Sequence, residues 1–261
     1  MNSVYFLSDF GSSDVYAGVC RAVIARSAPA AWLIDLAHDL PSGDVIHAAF
    51  QLYAALPHLE PGGVVLAVVD PGVGSKRRAV IVKGHRFWYV SPDNGLLSLA
   101  FELDPPETAW ELRPELYVDR PISDTFHGRD VFAPAAALLA NGQPAGSLGV
   151  EVDPASLVRI GPKISHSLEG EVLTFDRFGN AITNIKPKGD PEAVRVVGRH
   201  IPFVRTFADV PEGKALAYKG SSGLVEIAIN GGSLKEAFRL LPGAAVTLHL
   251  VEKEPPPLAL D

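Results

Sequence analysis

The stretch that decides the fold is Val64-Val65-Leu66-Ala67-Val68-Val69, which stops at Asp70. A short apolar run that ends at turn residues predicts a strand buried on both faces of a sheet. Val4-Tyr5-Phe6-Leu7-Ser8 before Asp9, and Trp32-Leu33-Ile34 before Asp35, have the same form. We therefore expect three buried strands, each followed by an aspartate at the carboxyl edge of the sheet.

Helical patterns lie between these predicted strands. The segment from Tyr16 to Arg26 places Val19, Val23 and Ile24 on one face, and Val45 to Leu56 is rich in Ala, Phe and Leu at helical spacing. Strand–helix–strand alternation predicts an α/β domain with a mostly parallel sheet. Such sheets bind ligands beyond the carboxyl ends of their strands. Further along the chain we expect a hairpin around Gly84, from Arg78–Val82 and Phe87–Val90, and a helix over Val131–Leu139.

The pattern changes after about Pro154. Short β-rich runs separated by turn residues then predict a smaller, mainly antiparallel β domain. These runs are Gly170–Phe175, Ala193–Val197, Val225–Ile229 and Ala245–Val251. We place the α/β domain at residues 1–155, a linker at 156–167 and the β domain at 168–261, with an extended tail at 255–257.

Composition limits the class of protein. Hydrophobic residues make up 47% and charged residues 20% of 261, as in a globular chain, and no apolar stretch reaches the roughly 18 residues of a membrane span. The net charge of -7 argues against a nucleic-acid partner. The single cysteine, Cys20, excludes an internal disulfide and a multi-cysteine metal site. Met1-Asn2-Ser3 has no basic signal region, so we expect a reducing cytoplasm.

Two polar clusters follow the predicted strands. In Ser8-Asp9-Phe10-Gly11, Asp9 is placed to hold the two neighbouring hydroxyls of a ribose, but Asp9 or Asp14 could equally cap the next helix. In the segment from Asp70 to Arg78, glycines allow the backbone to approach a ligand, although the spacing is neither a Walker loop nor a dinucleotide fingerprint. A Pro-Gly turn with solvated basic residues is the alternative interpretation.

Two further clusters stand later in the chain. His127, within Ser123–Asp130, precedes a predicted helix and is placed like a site residue, although a single histidine is more often structural. The polar run Asp176–Asn180 suggests recognition or simply a β-turn. His38-Asp39 and His85 lack metal-ligand spacing, so we expect no metal.

Five motifs in chain order resemble a known family. They are Phe6-Leu7-Ser8-Asp9-Phe10-Gly11, Val69-Asp70-Pro71-Gly72-Val73-Gly74, Ser91-Pro92-Asp93-Asn94-Gly95, Thr125-Phe126-His127-Gly128-Arg129-Asp130 and Phe178-Gly179-Asn180. Together they resemble the S-adenosyl-L-methionine hydroxide adenosyltransferases, relatives of the fluorinases and chlorinases. The resemblance implies hydrolysis of S-adenosylmethionine to adenosine and methionine, a β-barrel-like second domain, and a homotrimer with active sites between subunits.

The resemblance also implies roles for individual residues. Asp70, Arg77 and His127 match the catalytic set, and Asp9 matches the aspartate that holds the ribose diol. The other implied substrate contacts are Asp176 and Ser221 at the methionine end, and Asn180 and Phe207 at the adenine.

This chain departs from the halogenating relatives at several positions. Those enzymes carry a tyrosine where Asp70 stands, and hydroxyl side chains where Val73 and Gly128 stand. They also carry an arginine in place of Ser222, so the methionine carboxylate has no evident partner here, unless backbone amides near Ser221 serve.

The implied reaction is attack of water on C5′ without a metal or redox cofactor. A sulfonium leaves readily, so the difficulty is activation of water. Because pairing with Arg77 weakens Asp70 as a base, we expect His127 to take the proton and Asp70 to orient the water. A binding sensor without turnover, a halide-using adenosyltransferase and a methyltransferase are the alternatives.

Overall fold

The computed structural model describes residues 3–189 and 191–250. The chain divides into two compact units, residues 1–161 and 162–261, and this division falls within the segment 156–167. None of the helices in the described ranges is both long enough and apolar enough to span a bilayer.

The first unit contains one seven-stranded sheet. Its strands are β1 (Ser3–Ser8), β2 (Trp32–Ala37), β3 (Val64–Val68), β4 (Ala79–Gly84), β5 (Trp88–Pro92), β6 (Pro106–Leu112) and β7 (Gly149–Val152). Its α-helices are α1 (Tyr16–Ser27), α2 (Val45–Ala55), α3 (Ala100–Leu103) and α4 (Ala133–Ala140). The strand order is β2-β1-β3-β5-β4-β6-β7, and five of the seven strands run in one direction. The predicted α/β class with a mostly parallel sheet is confirmed.

Strand β3 lies inside the sheet and is buried on both faces, as its continuous apolar run predicts. Val64, Leu66 and Val68 belong to a core that also holds residues of α1 and α4. Val65 and Ala67 face a second core formed with α2 and α3. Two layers of helices therefore sandwich the sheet, which explains why this strand contains no polar residue.

Strand β2 contradicts the sequence-based expectation in two respects. It lies at the edge of the sheet, with Trp32 65% exposed and Ile34 39% exposed, so it is not buried on both faces. It also continues to Ala37, so Asp35 lies within the strand instead of at its carboxyl edge. An edge strand has only one paired neighbour, and apolar sequence alone does not reveal which strand occupies that place.

The expected helix over Val131–Leu139 is interrupted near its start. Val131 and Phe132 lie in a π-helical turn, Gly128–Phe132, and the regular helix α4 begins only at Ala133. Pro134 stands in the first turn of α4, where the missing N–H costs no helical hydrogen bond. The π-helical turn follows His127 directly, and such turns are frequent at functional sites.

The second unit is a nearly closed antiparallel barrel. Its described strands are β8 (Glu169–Phe175), β9 (Ala181–Thr183), β10 (Pro191–Val196), β11 (Arg199–Pro202), β12 (Ala215–Lys219), β13 (Val225–Ile229) and β14 (Ala245–Leu250), and its short helices are a 3-10 turn at Phe207–Asp209 and α5 (Leu234–Phe238). The order is β11-β10-β14-β8-β9-β13-β12, and a bridge between Phe203 and Ala217 joins its two ends. The expected antiparallel, barrel-like domain is confirmed. Val251 and the expected tail at 255–257 lie outside the described residues.

A buried carboxylate organises the β4–β5 hairpin. Asp104 is 1% exposed and accepts hydrogen bonds from the backbone amides of Arg86 and Phe87 and from the Tyr89 hydroxyl, at 2.8, 3.1 and 2.8 Å. Burial, together with this hydrogen bond, raises the pKa of Tyr89, which keeps the phenol protonated as the donor. Gly84 packs directly against the same carboxylate, so a side chain there would displace it.

We predict that Asp104→Ala destabilises the first unit by about 3 kcal/mol or more, because it leaves two buried donors and one half-buried donor without an acceptor. The three tryptophans, Trp32, Trp88 and Trp110, all lie in this unit, so their fluorescence during urea denaturation reports its unfolding. The exposed Asp119→Ala is the control and should shift stability by less than about 0.5 kcal/mol. Equal midpoints for the two variants would contradict the assigned role of Asp104.

Candidate active site

Asp9 and Asp70 lie at the carboxyl ends of neighbouring parallel strands. Strands β1 and β3 pair in register from Val4 with Val64 to Ser8 with Val68, so the two aspartates follow at the same edge. They share a small cavity of about 60 Å³, here called the strand-end cavity. Its lining is Asp9, Phe10, Val68, Asp70, Val73, Thr125, Phe126, His127 and Gly128.

Arg77 joins Asp70 to His127. Its Nε donates to Asp70 Oδ1 at 2.9 Å, and its Nη2 donates both to Asp70 Oδ2 and to His127 Nδ1, the latter at 2.8 Å. The guanidinium also lies 5.3 Å from the ring centre of Phe132. The Asp70 and Arg77 side chains are only 6% and 11% exposed, so this ion pair is well shielded from solvent. The structure thus brings together the three residues that the sequence assigns to catalysis.

The bond from Arg77 determines which protons His127 carries. Arginine is always a donor, so His127 Nδ1 is the acceptor and the neutral ring carries its proton on Nε2. Burial and the positive charge of Arg77 lower the pKa of His127, although Asp70 opposes this shift. His127 therefore has no free lone pair in this arrangement. The expected transfer of the water proton to His127 stays a prediction, and this geometry favours Asp70 as the acceptor.

Two glycines allow these segments to approach each other closely. Gly74 has φ of +76°, and a Cβ there would lie 2.6 Å from the backbone oxygen of Asp124. Gly128 packs against the ring of Phe10, where a Cβ would lie 2.6 Å from Cζ. The Pro-Gly segment after Asp70 forms the expected turns, and it also carries Arg77 to His127.

Asp9 does not cap the helix that follows it. The residue before α1 is Val15, and no side chain caps that helix, which excludes capping as the role of either Asp9 or Asp14. Instead, Asp9 Oδ2 accepts a hydrogen bond from the amide of Gly43 at 2.8 Å. This bond fixes the carboxylate and leaves its other lone pairs free at the cavity wall.

His38, which the sequence excluded as a metal ligand, belongs to a hydrogen-bonded chain behind Asp9. Its Nδ1 lies 2.7 Å from Ser8 Oγ, and its Nε2 lies 3.0 Å from Asp35 Oδ1. Ser8 is fully buried, so this set is structural. Within residues 3–189 and 191–250, no group of three or more His, Cys, Asp or Glu side chains is arranged to hold a metal ion.

The second unit has its own cavity, of about 590 Å³, here called the barrel cavity. Its lining is Asp176, Phe178, Asn180, Phe207, Tyr218, Ile229, Gly231 and Gly232. Three of the four residues that the sequence assigns to this half of the site therefore meet here. The fourth, Ser221, is exposed and does not line either cavity.

Asp176 and Asn180 form a turn as well as a cavity wall. Asp176 Oδ1 accepts from the amides of Phe178 and Asn180, each at 2.9 Å, and Oδ2 accepts from Asn180 Nδ2 at 2.8 Å. The turn interpretation is therefore confirmed, and recognition of a ligand by the same residues stays a prediction. The second N–H of the Asn180 side-chain amide and its Oδ1 make no hydrogen bond with the described residues, so they remain available to a ligand.

Sequence reasoning missed Tyr218 and gave no role to Phe178. Tyr218 lines the barrel cavity with its ring 5.2 Å from that of Phe207, and its hydroxyl donates to Glu226 Oε2 at 2.7 Å. No local pattern distinguishes Tyr218 from an ordinary strand residue. Phe178 is 67% exposed and stands beside a turn glycine, which is a signal that could have been used.

Comparison with protein-family models covers both units of the chain. The chain matches the model for the N-terminal domain of the SAM hydroxide adenosyltransferases over residues 4–149, and the model for their C-terminal domain over residues 170–247. The chain therefore belongs to the SAM hydroxide adenosyltransferase family.

Individual relatives match nearly the whole chain. Two proteins named (R)-S-adenosyl-L-methionine hydrolase are similar to it. The one from Thermus thermophilus is 52% identical, and the match covers 95% of this chain and 100% of that protein. The one from Salinispora arenicola is 42% identical, and the match covers 92% of this chain and 95% of that protein. A crystal structure of a conserved hypothetical protein from Thermus thermophilus superposes with a TM-score of 0.87, at 51% identity, over 95% of this chain and 100% of that chain.

We predict that His127 titrates below the ordinary histidine value of 6.5, and that Arg77→Met raises its pKa, because the variant removes a neighbouring positive charge while Asp70 remains. NMR of the imidazole signals against pH measures both values. Lys76→Met removes an exposed positive charge beside Arg77 and should leave the pKa of His127 nearly unchanged. A pKa of 6.5 or above in the unsubstituted protein would contradict the assigned bond.

Proposed function

We propose that the protein hydrolyses S-adenosylmethionine to adenosine and L-methionine by attack of water on C5′. The observation that carries the proposal is the Asp70–Arg77–His127 set at a cavity that also contains Asp9. Membership of the SAM hydroxide adenosyltransferase family supports the substrate. The similar hydrolases are named for the (R) epimer at sulfur, and we propose the same epimer here.

The reaction breaks the C5′–S bond and forms a C5′–O bond. The electron pair of the broken bond neutralises the sulfonium, so methionine departs without an acid, and one proton of water must be released. In the described geometry Asp70 retains free lone pairs and His127 presents an N–H. Asp70 therefore accepts a hydrogen bond from the attacking water and takes its proton as the C5′–O bond forms. His127 Nε2 donates a hydrogen bond to the water oxygen, and Arg77 holds Asp70 and His127 in place. No step requires a metal or a redox cofactor.

The nucleoside part of the substrate is held at its ribose and at its adenine. Asp9, fixed by the Gly43 amide, binds the ribose diol. Phe207 stacks on adenine, and the free amide groups of Asn180 recognise its polar edge. Holding C5′ in line between water and sulfur is itself worth a large part of the barrier, about 7–11 kcal/mol in well-oriented reactions.

The methionine end is assigned to Asp176 and to the turn after β12. In that turn the amides of Gly220 and Gly223 bond within the turn, at 2.9 Å each, whereas those of Ser221 and Ser222 donate to no described residue. These two amides are available to the substrate carboxylate, which compensates for the arginine of the halogenating relatives. Ser221 acts here through its backbone, which is consistent with its place outside the cavity lining.

We also propose that the active enzyme is a cytoplasmic homotrimer with its active sites between subunits. The support is the family resemblance, which divides the substrate contacts between the two domains. Asp9, Asp70 and His127 would come from one copy, and Asp176, Asn180 and Phe207 from a neighbour. Nucleic acids and membranes have no place in this proposal.

The test is product analysis in ¹⁸O-labelled water with chelator-treated protein and the (R) epimer of S-adenosylmethionine. We expect label in the 5′-hydroxyl of adenosine and none in methionine, because attack occurs at C5′. Absence of adenosine above the no-enzyme rate would exclude the hydrolase in favour of a binding sensor. Added chloride or fluoride should give no 5′-halo-adenosine, since the Asp70 carboxylate repels a halide.

We predict that Asp70→Asn and Asp9→Ala affect different steps. Asp70→Asn should lower the single-turnover rate by about 100-fold or more with little change in affinity, because it disturbs water activation. Asp9→Ala should weaken substrate binding by about tenfold or more, because it removes charged hydrogen bonds to the diol. Calorimetry and rapid quench measure the two quantities, and the exposed Asp14→Ala in the same loop is the control. Undiminished affinity in Asp9→Ala would refute the ribose role.

A further inference from the structure

The motif Ser91-Pro92-Asp93-Asn94-Gly95 has no role in the proposed mechanism, although it stands at the carboxyl end of β5. In the sheet, β5 lies between β3 and β4, and it pairs parallel with β3 and antiparallel with β4. Residues 69–78, here called the β3–β4 loop, leave β3 and enter β4, so they must cross the end of β5. This loop carries Asp70 and Arg77, and the residues that follow β5 lie between its two ends.

Asn94 holds the first residue of the β3–β4 loop. Its Nδ2 donates to the carbonyl of Val69 at 2.8 Å, and Val69 directly precedes Asp70. Its Oδ1 accepts from the amide of Leu96 at 3.2 Å, so both polar atoms of the side chain are fixed. Val69 is fully buried, and a buried carbonyl needs a partner. The side chain of Asn94 therefore sets the direction in which the chain reaches Asp70.

Asp93 holds the last residue of the loop, Arg78. The Asp93 amide donates to the Arg78 carbonyl at 2.9 Å, and Asp93 Oδ2 accepts from Arg78 Nε at 2.8 Å. The Asp93 side chain is buried, and its Oδ1 accepts from the amide of Val158 at 2.8 Å. The Arg78 guanidinium also donates to Ser156 Oγ at 3.0 Å and to the Ser156 carbonyl at 2.6 Å. Arg78 is thus held by structural bonds and fixes the chain directly after Arg77.

Between these two anchors the backbone of the loop forms local turns. The amide of Val73 donates to the Asp70 carbonyl at 3.2 Å, and the amide of Ser75 donates to the Gly72 carbonyl at 3.0 Å. Such turns fix the local shape of a loop but not its place over the sheet. Asp70 and Arg77 are each one residue from an anchor, so their place depends on the end of β5.

We propose that Asn94 and Asp93 are positioning residues, which hold Asp70 and Arg77 in the geometry that orients the attacking water. This inference rests on the proposed function, because both residues act through Asp70 and Arg77. A misplacement of about 1 Å at a reacting group can lower the rate about 100-fold. The residues proposed to bind ribose and adenine lie outside the β3–β4 loop, so the affinity for the substrate should be retained.

Asn94→Asp is the decisive variant, because an aspartate oxygen still accepts from the Leu96 amide but cannot donate to Val69. We expect kcat per folded protein to fall about tenfold or more and KM to change less than about twofold. Asn94→Ala removes the same donor without adding a charge, so kcat should fall there too. A fall in Asn94→Asp alone would be an effect of the added charge and would overturn the inference.

Arg78→Met tests the second anchor, because it removes the bonds to Asp93 and Ser156 from the end of the loop. We again expect kcat to fall about tenfold or more with little change in KM. Tryptophan fluorescence measures the folded fraction of each variant. An unchanged kcat in folded Arg78→Met would contradict the role of Asp93.

The imidazole NMR signal of His127 is a second readout, and it requires no turnover. Burial and the charge of Arg77 lower the pKa of His127, whereas the carboxylates of Asp70, Asp124 and Asp130 raise it. A loosened loop moves Arg77 away and admits water, while Asp124 and Asp130 belong to a different segment and stay in place. The pKa of His127 should therefore rise in both variants of the first anchor.

Asn141→Asp is the matched control, because Asn141 also donates from Nδ2 to a backbone carbonyl of the first unit, that of Ser27. It should change neither kcat nor the pKa of His127. If Asn94 only stabilises the first unit, its variants would unfold at lower urea concentration with both quantities unchanged, and that result would refute the positioning role. Absence of hydrolysis by the unsubstituted protein would instead refute the proposed function, and the His127 signal would still test the anchors.

Discussion

The bridging bonds of Arg77 are the interaction on which the strand-end cavity depends. One guanidinium satisfies a carboxylate that is 6% exposed and a half-buried imidazole, and these two side chains come from segments far apart in sequence. Removing the cation from a buried ion pair typically destabilises the folded protein by about 3–5 kcal/mol, because the carboxylate is left buried without a partner. The same bonds determine the tautomer of His127 and the orientation of Asp70. The local stability of this cavity and the arrangement of its polar groups therefore rest on a single side chain.

The second unit combines structure and recognition in a different way. Asp176 holds its turn through three accepted hydrogen bonds, yet it also forms part of the barrel cavity wall. Substituting it would disturb the turn and the binding surface together. The Tyr218–Glu226 pair lies outside that turn, on regular strands, so its substitution separates the two effects more cleanly. The barrel thus holds the polar groups of this cavity in a fixed geometry through its own hydrogen bonds.

The sequence predicts the elements well where local pattern and tertiary environment agree. The apolar run of β3 identifies a central strand because burial on both faces leaves no room for polar residues. The similar run of β2 is misleading, because edge position depends on strand order, which is a long-range property. Its Asp35 was therefore placed at the wrong point of the strand.

For the site residues, too, local pattern predicts position, whereas long-range contacts do not follow from the sequence. Asp9 and Asp70 were predictable from the carboxyl-end rule for parallel strands, and His127 from its position before a helix. The proton on His127 was not predictable, because it depends on which nitrogen faces Arg77 across a loop. Tyr218 was missed because its place at the barrel cavity depends on the pairing of β12 with β13. The pairing of two strands cannot be read from either strand alone.

The packing of Gly128 against Phe10 constrains how this chain could evolve toward its halogenating relatives. A side chain at residue 128 would collide with the Phe10 ring, which is itself packed 6.3 Å from Phe6 and 5.8 Å from Phe126. A hydroxyl side chain there, which the family resemblance implies for those relatives, therefore requires a prior rearrangement of the aromatic cluster. A side chain at residue 128 would therefore be harmful if it came before a change in the Phe10 cluster, and tolerated if it came after that change. The packing of Gly128 is thus an epistatic constraint, because residue 128 can carry a side chain only after the ring of Phe10 has moved.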